Sequence, residues 1–458
     1  MERTGDRMKK LLCILLSAAM LAVFVGGCGS DGSGGGNAGK ESDEKITLTV
    51  TVMAKELGDA TLYERYMKEH ENIIINEVPM ENSSSKLISM IASGDPPDII
   101  RLMGYDELPV FVTRGLLAPL DEYVAQSAEV NLDDAYDIAN ICRFDGSARG
   151  QGSLYAIPKD WSPTGLWINK KAFEEAGIPL PSTTEPMTWE EFGEIAKKLT
   201  VINNGAVERH GCVTALTFPS LLEMYLNSNG SSLWTEDLNS TTLNTPETQK
   251  AVEFFMDLHK NAALGSSLYP PADNIGTSAL PYGKTAMALG GYWFRAQWDT
   301  TGFLGQVEDN LMFVPAPVGS KEASYALDLT AVGLFSGTKH PKEAWELLEY
   351  IVASETAINA RAEIGYGIPA FQSYFEKLPN TTAFDKQLLD TVSNYQMRTL
   401  DLTPSISPYI NYTSLTTLFD KYYVPVLYDQ SNLKDALSTI NSETEILIEE
   451  GKELAEEK

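Results

Sequence analysis

The segment KITLTVTV, residues 45–52, alternates apolar side chains with threonine and predicts a β-strand. A helix and a second strand, residues 73–78, follow it. Ser83–Ser85 offer N-caps to another helix, which is predicted to stop at Gly94, and residues 98–100 (DII) have the pattern of a third strand. A chain that runs strand, helix, strand, helix, strand favours a parallel sheet covered by helices, so this region predicts an α/β fold.

The same kind of pattern begins again after residue 150. Leu154–Pro158 and Gly165–Ile168 are predicted to be extended. Helix starts are predicted at four capping positions: Asn169, Thr188 with a capping box to Glu191, Thr245 before Pro246, and Pro341. The tail, residues 433–458, is predicted to be an amphipathic helix whose apolar side carries Leu437, Ile440 and Ile446.

The N-terminus has the pattern of a secretory signal. Four basic residues precede an apolar run, Leu11–Val25, that is too short for a membrane span of roughly 20 residues. The run ends in VGGCGS, residues 25–30, which resembles the lipobox of bacterial lipoproteins. That resemblance implies removal of residues 1–27, a diacylglycerol on the sulfur of Cys28, and anchoring at the outer face of the cell membrane by a flexible tether that reaches residue 44. The alternative is an ordinary signal peptide, cut nearby, that leaves Cys28 free.

The charge of the chain restricts its partners. The formal net charge is −28, and removal of residues 1–27, which hold four basic and two acidic side chains, gives −30. Phosphate backbones repel a polyanion of this size, so nucleic acid is not expected as a partner. The remaining 431 residues exceed what one core usually supports, and two domains are therefore predicted.

Signatures of catalysis and of metal binding are missing from the sequence. It has no GxSxG or HExxH motif, and its four histidines stand far apart without a second ligand at metal spacing. No metal, no cofactor and no enzymatic activity are expected. Cys142 and Cys212 remain as candidates for a disulfide, although two buried free thiols are favoured because no framework of cysteines surrounds them.

Four groups of short motifs stand in a fixed order between residues 45 and 375. They are Lys86–Ile100 with Gly115–Leu120, Leu154–Pro158 with Leu166–Phe173 and Thr188–Glu191, Gly283–Met287 with Gly291 and Trp293, and Val332–Leu348 with Gly365–Ala370. In order and spacing they resemble the family 1 extracellular solute-binding proteins, the group that contains the maltose-binding protein. The last 80 residues match that family weakly.

The resemblance implies an α/β fold of two lobes, each a mostly parallel sheet flanked by helices, with solute bound in the cleft between them. Lobe 1 is expected to comprise 45–158 and 322–370, and lobe 2 to comprise 165–316 and 371–458. Hinge crossovers are expected at 158–165 and 316–326. The implied protein is a monomeric component of an ABC importer that captures a carbohydrate, an oligosaccharide first of all, by hinge closure and delivers it to the membrane permease.

The strongest candidate for a ligand contact is Trp293. A sugar has apolar C–H faces and a rim of hydroxyls, so its site needs aromatic rings and planar polar groups. In the family resemblance Trp293 stands where a ring-stacking tryptophan follows the GxxAM strand. Tyr292 and Arg295 flank it and are alternatives for reaching the cleft, while a core position for Trp293 stays open.

Further candidates follow from position along the chain. Asp106 matches the family's acidic ligand-binding residue, with Glu107 as the alternative and helix capping as the competing role. The first crossover offers Asp160 and Trp161, and the second offers Asp328. Ligands of α/β sheets gather at the carboxyl ends of strands, where this chain has Lys55, Glu56, Glu81 and Asn82.

Three other functions stay open from the sequence. Within the same class the alternative solutes are a glycerol phosphodiester, which would need more basic side chains around the aromatic rings, and a polyamine, which would need more acidic ones. A secreted glycoside-acting surface enzyme is a second alternative, because acidic residues are abundant enough for a catalytic pair. A surface adhesin without a small ligand is the third.

Overall fold

The computed structural model of the chain describes residues 45–53, 60–80, 84–103, 106–266, 268, 278–321, 327–396 and 406–456. The expected signal peptide, Cys28 and the tether lie outside these residues. Within the described residues no helix is both long and apolar enough to cross a membrane.

The strands are numbered here in chain order. They are β1 (Ile46–Val52), β2 (Ile73–Pro79), β3 (Ile99–Met103), β4 (Arg143–Phe144), β5 (Ser153–Leu154), β6 (Ile157–Asn169), β7 (Val201–Asn203), β8 (Ala206–Thr214), β9 (Leu264–Gly265), β10 (Thr285–Gly291), β11 (Leu311–Val314), β12 (Leu327–Leu334) and β13 (Ile368–Pro369).

The α-helices are numbered in the same way. They are α1 (Ala60–Glu69), α2 (Ser84–Ala92), α3 (Glu107–Thr113), α4 (Asp121–Gln126), α5 (Lys170–Ala176), α6 (Trp189–Leu199), α7 (Phe218–Ser228), α8 (Pro246–Lys260), α9 (Phe294–Thr300), α10 (Leu304–Val307), α11 (Pro341–Ala353), α12 (Glu355–Ile364), α13 (Ala383–Thr391), α14 (Tyr412–Tyr422), α15 (Val424–Leu427) and α16 (Leu433–Glu456). Short 3₁₀ segments lie at Leu132–Asp134, Asp137–Cys142, Glu308–Asn310 and Gln372–Lys377, and a π-helical turn at Val392–Gln396.

The strands form one long sheet in the order β2-β1-β3-β12-β6-β10-β8-β7. In its first half β1 runs parallel to both β2 and β3, which confirms the parallel α/β arrangement predicted from residues 45–100. In its second half β10 runs parallel to β8. The antiparallel pairs β3–β12, β12–β6 and β6–β10 join the two halves.

Strand β6 passes from one half of the sheet to the other. Its first part pairs with β12 up to Pro163, and its second part pairs with β10 from Thr164 onward and with β11. All of its residues are buried, because neighbouring elements cover both faces. A single continuous strand therefore joins the two halves at the position where the sequence predicts the first crossover.

Two clusters of buried apolar side chains stabilise the two halves. One packs beneath β1, β3 and β12 with α11, and extends along one side of β10 through Trp167, Phe294 and Phe313. The other packs on the opposite side of β10, with α6, α8, α14 and α16. Complete burial of a Phe or Leu side chain contributes about 1.5–3 kcal/mol, so the clusters supply most of the driving force for folding.

The capping signals read at Asn169, Thr188 and Thr245 are confirmed. The side chain of Asn169 accepts from the backbone N–H of Ala172, and Gly177 ends the same helix with a left-handed φ of 65°. Thr188 and Glu191 form the predicted reciprocal capping box. Local hydrogen-bonding chemistry thus determines where these helices begin and end.

One detail of the predicted tail helix is wrong. Leu437 and Ile440 are buried as expected, whereas Ile446 is 57% exposed. The buried face of α16 continues through Thr444 and Ile448 instead. Ile446 stands two residues from Ile448, which is about 200° around a helix, so it points to the opposite side.

Two further sequence predictions concern the cysteines and the lobe boundary. Cys142 and Cys212 are both buried free thiols, as favoured.

Residues 371–377, which the sequence analysis assigns to lobe 2, contact α12 and the segment around Asp134. The exact lobe boundaries remain a prediction.

Candidate functional site

A pocket of about 160 Å³ opens beside the crossover strands. The first half of the sheet and the crossover strands contribute residues at the end of β1, on β3, β6 and β12, and two positions before β13. The second half contributes the turn after β10 and α9. Both halves of the sheet therefore contribute. The lining residues are Met53, Arg101, Asp160, Ser162, Trp293, Gln297, Asp328, Leu329, Thr330 and Tyr366.

Trp293 is the partly buried aromatic residue that the sequence singled out, and it lines this pocket. Its backbone N–H donates to Ser162 Oγ at 3.2 Å, and its indole Nε1 donates to Asp328 Oδ2 at 2.7 Å. Its ring meets Phe294 edge to face with centroids 4.6 Å apart. The indole is thus oriented by neighbours while part of its surface stays open to the pocket.

Gly291, the last residue of β10, makes this arrangement of the ring sterically feasible. A Cβ at this position would lie 2.5 Å from Trp293 Cδ1 and 2.6 Å from its Nε1. It would also lie 2.5 Å from Ser162 Oγ. Because carbon atoms prefer separations of about 3.5–4.0 Å, the indole can fold back against the strand only where no side chain is present.

Side-chain alternation along β6 decides which crossover residues reach the pocket. Asp160 and Ser162 lie on the pocket side, whereas Trp161 points to the other side and is 1% exposed. There its ring meets Tyr136 edge to face with centroids 5.4 Å apart. The expectation that Trp161 faces the cleft is therefore wrong, because adjacent residues of a strand face opposite ways.

The pocket carries charges of both signs. Asp160 is 5% exposed, and its Oδ2 lies 3.9 Å from Lys159 Nζ and 4.0 Å from Arg361 Nε. Arg101 Nη2 donates to Thr330 Oγ1 at 3.3 Å. These distances place buried opposite charges around Asp160, so its carboxylate is compensated within the protein.

Asp328 is the more accessible of the two pocket carboxylates. Although solvent reaches its side chain, the protein atoms surrounding it raise the pKa of its carboxyl, and the hydrogen bond from Trp293 acts in the opposite direction. An accessible carboxylate next to an indole ring can accept hydrogen bonds from hydroxyl groups while the ring covers an apolar C–H face.

The two residues that flank Trp293 do not line the pocket. Tyr292 is fully buried, because it points into the core behind the turn. Arg295 is 6% exposed, and its Nε donates to Asp385 Oδ1 at 2.9 Å while its Nη1 donates to the carbonyl of Ile364 at 3.1 Å. Arg295 thus joins α9 to α13 and to the end of α12, and its predicted role in the cleft is wrong.

Asp106 also lies outside the lining of the pocket. Its Oδ2 accepts from the backbone N–H of Tyr412, the first residue of α14, at 2.8 Å. Nearby, Thr113 Oγ1 donates to the carbonyl of Pro408 at 3.1 Å. These bonds join α3, which packs with the first half of the sheet, to α14, which packs with the second. Asp106 occupies the N-cap position of α3 but makes no side-chain capping bond there, so neither role expected from the sequence is seen.

Glu107 is half-buried in the first turn of α3 and does not line the pocket either. The four candidates at strand ends, Lys55, Glu56, Glu81 and Asn82, lie outside the described residues. Among the residues that the structure does describe, no group of three or more His, Cys, Asp or Glu side chains is arranged to hold a metal ion.

Several lining residues were missed by the sequence reasoning. Periodicity alone could have found two of them. Ser162 lies two residues beyond Asp160 on β6, and Gln297 lies on α9 four residues beyond Trp293, so each shares a face with a predicted residue. Tyr366 and Arg101 come from distant parts of the chain and had no local signal.

Comparison with known proteins agrees with this architecture. The family model described as bacterial extracellular solute-binding protein matches residues 51–358. A putative ABC transporter periplasmic-binding protein, YcjN of Escherichia coli K12, is 25% identical over 281 residues, which is 57% of each chain. The match therefore spans less than two thirds of that relative's length.

Solved structures of this kind share the fold. The ABC substrate-binding protein Lmo0181 of Listeria monocytogenes, in complex with cycloalternan, aligns with a TM-score of 0.72 over 88% of this chain and 98% of its own, at 18% identity. A solute-binding protein of Thermotoga lettingae, bound to α-D-tagatose, aligns with a TM-score of 0.72 over 88% and 99%, at 19% identity. The chain thus has the two-lobed periplasmic-binding-protein fold, and residues from both halves of its sheet line the pocket.

Proposed function

This chain belongs to the bacterial extracellular solute-binding proteins, and we propose from that premise that it captures a carbohydrate and delivers it to the permease of an ABC importer. The observation that carries the proposal is the pocket at the crossover strands, where the indole of Trp293 lies beside the accessible carboxylate of Asp328. A ring for an apolar sugar face and acceptors for hydroxyls are the groups that such a ligand requires.

The mechanism is hinge closure about the crossover strands. Residues 158–165 are the proposed first hinge, which agrees with the change of pairing partner along β6 between Pro163 and Thr164. The proposed second hinge, 316–326, lies partly outside the described residues. A ligand that contacts both lobes only when they close shifts the population towards the closed state by its differential affinity.

The charges in the pocket favour a hydroxyl-rich neutral ligand over the alternatives. A polyamine would need several accessible carboxylates, whereas Asp160 is buried between Lys159 and Arg361. A phosphodiester would have to approach Asp328. For a glycoside-acting enzyme, both carboxylates would have to serve in catalysis, yet Asp328 already accepts from Trp293 and Asp160 is paired with cations.

We further propose that the mature protein is a monomeric lipoprotein held at the outer face of the cell membrane through Cys28. The sequence VGGCGS and the Gly/Ser-rich tether after it support this. Incorporation of labelled palmitate into the wild-type chain but not into Cys28→Ser tests the anchor directly.

The binding proposal is tested by thermal shift and calorimetry on residues 45–458, which form one compact unit. The panel contains D-glucose, D-tagatose, maltotriose and mannotriose, with spermidine and glycerophosphocholine for the non-sugar alternatives. A ligand at 100 times its Kd stabilises the native state by about 2.7 kcal/mol, which raises the Tm measurably. A rise with a sugar, and no turnover of that sugar, is the expected result. A rise only with spermidine or glycerophosphocholine, or release of a cleaved sugar, contradicts the proposal.

Replacement of Trp293 makes this test specific to the pocket. Trp293→Ala is expected to weaken sugar binding at least about 30-fold, the loss of a central aromatic contact worth about 2 kcal/mol, with little change in the Tm of the unliganded protein. Tyr282→Ala is the matched control, because Tyr282 is a 66% exposed aromatic residue outside the pocket. Equal binding by both variants would remove Trp293 from the site.

A further inference from the structure

The indole of Trp293 is held by residues that belong to three strands. Gly291 at the end of β10 leaves room for the ring, Ser162 on β6 accepts the backbone N–H of Trp293, and Asp328 on β12 accepts the indole N–H. Asp328 and Ser162 are register partners in the β12–β6 ladder. The two acceptors are therefore fixed relative to each other by the backbone of the crossover strands.

The position of these partners determines when the ring becomes ordered. β10 belongs to the second half of the sheet, and Asp328 stands before Thr330, the first residue of β12 that pairs with β3 in the first half. The contacts that orient the indole thus come from the second half and from the crossover itself. Asp328 lies just beyond the expected second hinge, 316–326, and its strand neighbour is Ser162 on β6, so these contacts depend on the crossover ladder and not on the part of β12 that pairs with β3.

We infer that Asp328 is a positioning residue: its hydrogen bond to Trp293 Nε1 sets the plane of the indole before any ligand binds, and Asp328 contributes to affinity mainly through that ring. The inference rests on the proposed function. Fixing a side chain in its bound orientation removes an ordering cost from the binding step and so raises affinity. The competing role for the same carboxylate is direct acceptance of hydrogen bonds from the ligand.

A spectroscopic test addresses the ring without any ligand. The chain has seven tryptophans, so its indole N–H signals can be resolved in a ¹⁵N correlation spectrum, and Trp293→Phe assigns the signal of interest. The Trp293 signal is expected to be a single, slowly exchanging peak in the unliganded protein and to lose its protection from exchange in Asp328→Ala. The indole of Trp189 on α6, which donates to Ser228 Oγ on α7 at 2.9 Å, provides an internal reference that should not change.

A double-mutant cycle separates the two roles of Asp328. The panel sugar that binds the wild type best, taken from glucose, tagatose, maltotriose and mannotriose, is titrated against wild type, Asp328→Ala, Trp293→Phe and the double variant. Loss of a hydrogen bond to a charged acceptor should weaken binding about tenfold or more in Asp328→Ala. Phenylalanine has no N–H to donate, so in the Trp293→Phe background the same change should have almost no further effect.

Asp328→Asn is the conservative variant. Its amide oxygen can still accept from the indole N–H, although a neutral acceptor is weaker than a carboxylate, so an intermediate affinity and a preserved Trp293 signal are expected. The Trp189 signal in the spectrum of Asp328→Ala shows whether that variant keeps the fold.

The outcomes are distinguishable. A Trp293 signal that is unchanged in Asp328→Ala overturns the inference. So do affinity losses that add in the double variant, because additivity means that Asp328 acts on the ligand directly. If no sugar of the panel binds the wild type, the proposed function fails, while the exchange of the Trp293 indole N–H still decides whether Asp328 orients the ring.

Discussion

Replacement of Gly291 by alanine should disable the pocket without changing any group that a ligand touches. Gly291 has no positive φ, so alanine strains no backbone torsion, and the effect comes from the new methyl group alone. That methyl would lie 2.5 Å from Trp293 Cδ1, about 1 Å inside normal carbon contact. The indole must move by a similar amount, and its 2.7 Å bond to Asp328 would stretch beyond hydrogen-bonding distance.

The magnitude follows from the broken bond. A hydrogen bond to a charged acceptor is worth about 1.5–3 kcal/mol, so affinity for the best panel sugar should fall about 10- to 150-fold. Crowding of this kind costs about 1–3 kcal/mol of stability, which urea unfolding measures in parallel. Gly305→Ala is the matched control, because a Cβ at Gly305 meets nothing within 4 Å. If calorimetry finds that Gly291→Ala binds the sugar as tightly as Gly305→Ala does, the Trp293 indole does not need the space beside Gly291, and the reasoning is refuted.

Three more predictions concern the rest of the molecule. Arg295→Met should lower the free energy of unfolding in urea by about 3–5 kcal/mol, because it leaves Asp385 buried without its cation. Lys342→Met removes one member of an exposed ion pair and should cost less than about 1 kcal/mol, so similar losses in the two variants would contradict this prediction. Burial raises the pKa of Asp106 from 3.8 to about 6, so the protonated carboxyl stabilises the native state below pH 4, and this stability is lost as the pH rises through 6. The free energies of urea unfolding of the wild type and of Asp106→Asn should therefore diverge between pH 4 and 6, and parallel pH profiles would contradict the prediction. Burial also raises the pKa of Cys142 to about 12, so iodoacetamide should label both buried thiols only after unfolding, and rapid labelling of the native protein is the contrary result.

The pocket brings together residues whose sequence signals differ in strength. Trp293 could be proposed from its motif, and Asp160 and Asp328 from their positions at expected crossovers, and all three line the pocket. Asp106 also matched a family motif, yet its carboxylate accepts from the backbone N–H of Tyr412, more than 300 residues away in sequence. A motif gives the residue type at a position but cannot give the partner that the fold supplies.

The face that a residue presents was the main uncertainty of the sequence analysis. Tyr292, Trp293 and Arg295 stand within four residues of each other, and composition alone could not tell which of them faces solvent. Two tertiary contacts determine which of them lines the pocket. The absence of a side chain at Gly291 lets the Trp293 indole fold back against the strand, and Asp385 holds the guanidinium of Arg295 in the protein interior.

By itself the sequence determined the elements whose causes are local. Alternation of apolar residues defines β1, and side-chain caps such as Thr188 and Asn169 define helix starts, because these interactions reach only three or four residues along the chain. Only the tertiary structure decided the pocket. Ser162 accepts from the backbone N–H of Trp293 and Asp328 accepts from its indole, and these neighbours meet only when three separate strands pair. Hydrogen bonds and steric contacts act over a few ångströms in space, and a chain this long brings distant residues to that range only by folding.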